Sequence, residues 1–75
     1  MGLMPSDADA ALGVRISQLL RERGLTQDKL GEALRIEQGG ISRRLNGRVP
    51  IRAAELIAIA GFLDVTVAEL TERVA

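Results

Sequence analysis

The stretch Leu25-Thr26-Gln27-Asp28-Lys29-Leu30-Gly31-Glu32-Ala33-Leu34-Arg35-Ile36-Glu37-Gln38-Gly39-Gly40-Ile41-Ser42-Arg43-Arg44-Leu45-Asn46-Gly47 decides how the chain folds. Thr26 has the side-chain oxygen of an N-cap, and Gln27 and Asp28 suit the first turn that follows it. Leu30, Ala33 and Leu34 then recur at helical spacing, which predicts a short helix ending near Leu34. Arg35-Ile36 reads as a brief turn. A second helix is predicted from about Glu37 to Leu45, anchored by the i, i+4 pair Ile41 and Leu45. Asn46-Gly47 stops it, with Gly47 in the position where helices turn left-handed.

Working outward, Leu12, Ile16, Leu19 and Leu20 predict a helix upstream. It begins near Asp7, where Ser6 and Asp9 have capping-box spacing, and Gly24 ends it. Residues 1–6 are expected to form a flexible arm and residues 7–75 one domain. Met1-Gly2-Leu3-Met4-Pro5-Ser6 fits a loose myristoylation pattern, but no polybasic second signal accompanies it. Downstream, Pro50 marks a connection. A fourth helix is expected from about Arg52 to Leu63, with Ala53, Leu56, Ile57, Ala60 and Leu63 turned inward. Asp64-Val65 is a turn. Thr66-Val67-Ala68-Glu69 is a capping box, so a fifth helix starts at Val67 with Val67, Leu70 and Val74 on its apolar face. No strand pattern interrupts the series. The expected fold is all-α, five short helices joined by tight turns.

Composition narrows the function. The chain has 75 residues, enough for one domain with a small core. Apolar residues make up 47% of it, with Phe62 the one aromatic, which does not suit stacking on RNA bases. There is no His and no Cys, which removes imidazole catalysis, thiol chemistry and the usual zinc sets. Glu22, Asp28, Glu32 and Glu55 are carboxylates without a cleft, a metal site or a His for acid–base work. No enzyme activity, metal or cofactor is expected. The apolar run Leu56 to Leu63 is too short to span a bilayer, and no signal peptide is evident. A cytoplasmic protein that does not meet a membrane is expected.

The formal net charge is zero, with ten basic and ten acidic side chains. The distribution is uneven. Residues 35–52 hold Arg35, Arg43, Arg44, Arg48 and Arg52 against Glu37 alone, while residues 53–75 hold Arg73 against Glu55, Asp64, Glu69 and Glu72. The chain is therefore a charge dipole, positive around its third helix.

From Leu12 to Leu70 the chain resembles the Cro and C1 repressor type of helix-turn-helix domain, also called XRE-like. The carrying residues are Leu25-Thr26-Gln27, Leu30, Ala33-Leu34, Ile41-Ser42-Arg43, Asn46-Gly47, Ala60, Leu63, Val65 and Glu69-Leu70. Gln38-Gly39-Gly40-Ile41 with Asn46-Gly47 is similar to the recognition helix of phage lambda-type repressors. The resemblance implies a lambda-repressor-like fold whose third helix enters the major groove of double-stranded DNA. It implies base reading at Gln38, Gly39, Ser42 and Arg43, with Gln38 bidentate to adenine. It implies phosphate contacts from Gln27, Asn46, Arg44, Arg48 and Arg52, with Gln27 also bracing Gln38. Glu37, Gly39 and Arg44 depart from the family pattern: a carboxylate near DNA, a lost side chain and a charge at an apolar position.

The expected function is that of a small transcriptional regulator, a phage or mobile-element repressor acting by occupying a palindromic operator. A homodimer is expected at least on DNA. Phe62, Val67, Leu70 and Val74 are the candidate interface, unless they only seal the monomer core. No small-molecule effector is expected. The alternative is a protein-interaction module on the same scaffold, such as an antitoxin or adaptor.

Overall fold

The computed structural model describes residues 5–72, with side chains from Ala8 onward. It contains five helices: α1 Pro5–Glu22, α2 Gln27–Leu34, α3 Gln38–Leu45, α4 Ala53–Leu63 and α5 Val67–Thr71. No strand occurs among the described residues. Helix α1 starts at Pro5, ahead of the expected Asp7; the first turn tolerates proline because its N–H has no helical partner there. Residues 1–4 of the myristoylation pattern, the Ser6 side chain of the proposed capping pair and Val74 lie outside the described residues.

Four of the helices end by the same device. Gly24, Arg35, Gly47 and Asp64 all take left-handed backbone, with φ of 65°, 58°, 77° and 59°. Each is followed by an N–H that reaches back to the carbonyl five residues earlier: Leu25 to Leu20 at 2.9 Å, Ile36 to Gly31 at 3.0 Å, Arg48 to Arg43 at 2.9 Å and Val65 to Ala60 at 3.0 Å. These are Schellman endings, which satisfy the orphan carbonyls of the last turn. Three of the four residues that follow the turn (Leu25, Ile36 and Val65) are apolar and pack on the core. Gly47 is confined twice over, because a Cβ there would also lie 2.8 Å from Ala10 Cα.

Starts are capped as expected at two places. Thr26 Oγ1 accepts from Lys29 N–H at 3.1 Å. Thr66 Oγ1 accepts from Glu69 N–H at 2.9 Å while Glu69 Oε1 accepts from Thr66 N–H at 2.8 Å, which is the capping box read from the sequence. These bonds hold the Glu69 carboxyl below its ordinary range: the backbone N–H of Thr66 contributes most, and Arg23 and Arg15 add weaker attraction.

Every helix supplies the core. Leu12, Ile16, Leu19 and Leu20 of α1 meet Leu30, Ile41, Leu45, Ile59, Ala60, Leu63 and Leu70. Helix α1 lies close against α3, and a Cβ on Gly13 would strike the Leu45 carbonyl. Glycine at 13 is thus what lets α3 sit this near the longest helix. No helix among the described residues is long and apolar enough to cross a membrane.

The core corrects three sequence readings. In α2, Ala33 is exposed and Gly31 is buried. In α4, Ala53 and Ile57 are exposed and Ile59 is buried. Leu56, Ala60 and Leu63 face the core as expected, with Leu56 half-buried, and Ile59 joins them in place of Ala53 and Ile57. The sequence AAELIAIAGFL is apolar on nearly every side, so periodicity cannot choose its inner face. Leu70 is fully buried in the monomer and is not an interface side chain: α5 is short and needs it to seal the base of the core.

Candidate nucleic-acid interface

Helices α2 and α3 are joined through Arg35, Ile36 and Glu37. The left-handed step at Arg35 redirects the chain, and Ile36 drops onto the core beside it. Glu37 is the residue before α3, and its side chain makes no capping hydrogen bond. Ile41 and Leu45 pin α3 to the core at 1% and 7% exposure. Gly40 is buried beside them, and the opposite side faces outward.

On that outer face Gln38, Gly39, Arg43 and Asn46 are exposed and Ser42 is half-buried. Gly39, Ser42, Arg43 and Asn46 follow i, i+3, i+4, i+7 and so share one side; Gln38 stands on its flank in the first turn. Asn46 Nδ2 donates to Ser42 Oγ at 3.4 Å. Gly39 is not a bare spot: an added Cβ would come 3.3 Å from Arg43 Nη1, so the Arg43 guanidinium lies back over it. Gln27 is exposed at the start of α2. No hydrogen bond joins Gln27 to Gln38 among the described residues, so the expected brace is not formed in the free protein. Arg48 and Arg52 are exposed beyond α3.

Arg44 behaves differently from its neighbours. Its Nε donates to Glu55 Oε1 at 3.0 Å and its Nη2 to Glu55 Oε2 at 3.1 Å. Its Nη1 donates to the Gly40 carbonyl at 2.9 Å. The two side chains are only 15% and 16% exposed. This corrects the expectation of a phosphate contact: the guanidinium is committed to α4 by a bidentate pair, and breaking it would strand a half-buried carboxylate. Gly40 makes the arrangement possible, since a Cβ there would lie 2.7 Å from Ile36 Cγ2 and 3.2 Å from Arg44 Nη1. The glycine pair thus has an interlock four residues on, with Arg43 over Gly39 and Arg44 over Gly40.

Glu55 entered the sequence reading as a carboxylate, and its role as the partner of α3 was missed. Besides Arg44 it accepts from the Arg52 backbone N–H at 3.0 Å, which caps α4. The Arg44 hydrogen bonds are the main reason its carboxyl sits below the usual range. Partial burial opposes them, and the Arg52 N–H and both arginine charges add to the lowering. The available signal was a charged residue at an otherwise apolar position of α3, facing the first acid of α4.

Of the other interface candidates, Phe62 is half-buried against the core and Val67 is 36% exposed. A shallow groove beside Gln38 is lined by the carboxylates Asp28, Glu32 and Glu37 together with Arg35, so the α2 side of α3 is acidic on balance, three carboxylates against one guanidinium. Pairing of Arg44 removes one positive charge from the outer face and leaves Arg43, Arg48 and Arg52 available there.

No curated protein sequence matches the chain. Among solved structures it is similar to the crystal structure of the clp gene regulator ClgR from C. glutamicum. The TM-score is 0.81 over 97% of this chain and 91% of that one, at 23% identity, a likeness that shows the fold. A model of the helix-turn-helix family matches residues 16–70. The match runs from the middle of α1 through Leu70, enclosing α2, the turn and α3, and supports DNA-binding transcription regulation. The chain belongs to the XRE-like helix-turn-helix family.

Proposed function

We propose that this protein binds double-stranded DNA sequence-specifically and regulates transcription by occupying an operator, in the manner of a small repressor. The observation that carries the reading is the two-sidedness of α3. Ile41 and Leu45 fix one side to the core, while Gln38 and Arg43 are exposed and Ser42 half-buried on the other, with Arg48 and Arg52 beyond them. A helix so held can enter a major groove as a rigid body. Gln38 has the two-pronged amide that matches adenine, and Arg43 the fork that matches guanine or a phosphate. Gln27, Asn46 and Arg48 supply phosphate contacts around the groove. One such module reads few base pairs, so two copies on a palindromic site, about 34 Å apart, supply affinity and specificity. The protein works in the cytoplasm, and its control comes from concentration or a partner.

A second reading rests on the groove where Asp28, Glu32 and Glu37 outnumber Arg35. It fits a basic protein surface better than a phosphate backbone, as in an adaptor or antitoxin. Selection from a random duplex pool separates the two: recovery of a defined sequence supports the DNA reading, and no enrichment over bulk DNA at low salt favours the protein partner.

A further inference from the structure

We infer that the outer face of α4 pairs with the same face of a second copy of this chain, in an antiparallel two-fold contact centred between Ile57 and Ala58. The inference deepens the dimer in the proposed function, and rests on it, by naming where the two copies meet. Ile57 is 63% exposed, a large aliphatic side chain left in water. Ala54, Ala58 and Gly61 are exposed with it, and the four recur at i, i+3, i+4 and i+7, so they form one side of the helix. A Cβ at Gly61 would meet nothing within 4 Å, so this side is open.

The arrangement is self-complementary. In a two-fold contact, residue i meets residue j and j meets i. Turning α4 end for end about its midpoint between positions 57 and 58 exchanges Ile57 with Ala58 and Ala54 with Gly61. The bulky side chain of each copy then falls on a small residue of the other, and the backbones approach closely.

Charge points to the same occupant. Arg52 precedes α4 and Asp64 follows it, both exposed. A positive group at a helix N-terminus and a negative group at its C-terminus each oppose the helix's own dipole. An antiparallel copy brings Arg52, which also attracts Glu55 of its own chain, within a turn of the partner's Asp64, so that opposite charges meet at each end of the contact. The helix has 11 residues, and so short a face buries less than the roughly 1,000 Å² of a stable interface. Pairing is therefore weak for the free chains and is completed when two copies lie on one duplex. The Arg44–Glu55 pair then carries the contact directly to α3.

The chain has no cysteine, which gives a clean test without DNA. Ala54→Cys and Gly61→Cys chains are mixed at high concentration in a glutathione redox buffer. The inference predicts the 54–61 mixed disulfide in several-fold excess over either homodisulfide. Statistical proportions, or no mixed product, overturn it. Independently, Ile57→Glu should keep its melting temperature and lower the dimer association constant at least ten-fold in sedimentation equilibrium. Association equal to that of the unaltered chain places the interface elsewhere, for example at Phe62 and Val67, and overturns the inference. These readouts fail separately from the DNA reading: a duplex of two half-sites recovered by selection, without the mixed disulfide, sinks only the α4 contact.

Discussion

Arg44 and Glu55 meet through two parallel hydrogen bonds, Nε to Oε1 at 3.0 Å and Nη2 to Oε2 at 3.1 Å, and so join the outward-facing helix α3 to the start of α4. The same carboxylate accepts the Arg52 N–H, so one side chain ties together a helix, a loop and a helix cap. Truncation by Glu55→Ala removes three hydrogen bonds at once and leaves a half-buried guanidinium with only the Gly40 carbonyl. A loss of about 2 kcal/mol is expected, within the range for stranding a charged donor. Urea unfolding followed by circular dichroism measures it, and a change below about 0.5 kcal/mol would show that the pair is an ordinary surface contact.

The pH dependence follows from the same group. Glu55 and Glu69 both have folded-state carboxyls lowered from an ordinary 4.5. As pH falls, the unfolded chain takes up these protons first, so stability is fully present above about 4.5 and drains away below it. The acid limb of a stability–pH profile should be shallower in Glu55→Gln, because one of the two lowered carboxyls is gone. An unchanged acid limb would assign the pH dependence to other groups.

The left-handed helix endings predict opposite outcomes for two substitutions. Arg35→Gly relieves a side-chain clash at φ 58°, offset in part by the added freedom of the unfolded chain. It should stabilise by about 0.5 kcal/mol. Gly47→Ala introduces the same clash at φ 77° and also meets Ala10, so it should cost more than about 1 kcal/mol. Thermal melts of the two variants should move in opposite directions from the unaltered chain.

Much of this architecture was legible before the structure. Tight turns, two side-chain caps and the glycine stops set all five helices in order, because each signal is local: a hydroxyl three residues before an N–H, or a glycine where φ is positive. What stayed hidden was non-local. The inner face of α4 depends on which neighbours cover it, and an almost wholly apolar helix gives no internal preference between Ile57 and Ile59. Arg44 looked like one of five available cations because its partner lies eleven residues away on another helix. Gly39 looked like a lost side chain, and Gly40 beside it drew no structural reading of its own. Their use, as room for the arginines one turn on, shows only when side-chain direction is known.

Phosphate and base contacts should separate by salt. Arg48→Ala is expected to weaken binding to all duplexes alike and to reduce the slope of log K against log salt by about 1. Arg44→Ala should leave that slope unchanged while lowering stability, since Arg44 is already neutralised within the fold. Filter-binding or anisotropy titrations across salt concentrations test both; a slope change for Arg44→Ala equal to that for Arg48→Ala would return Arg44 to the DNA surface.

The central claim is that α3 reads base sequence through Gln38. Selection from a random duplex pool with the unaltered chain, followed by titration of the recovered duplex and a base-scrambled control against both it and Gln38→Ala, tests this most directly. The account predicts one enriched sequence, with Gln38→Ala losing about 1–3 kcal/mol on that duplex and almost nothing on the scrambled control. Equal affinity of the unaltered chain for both duplexes, or equal losses by Gln38→Ala on both, would contradict it.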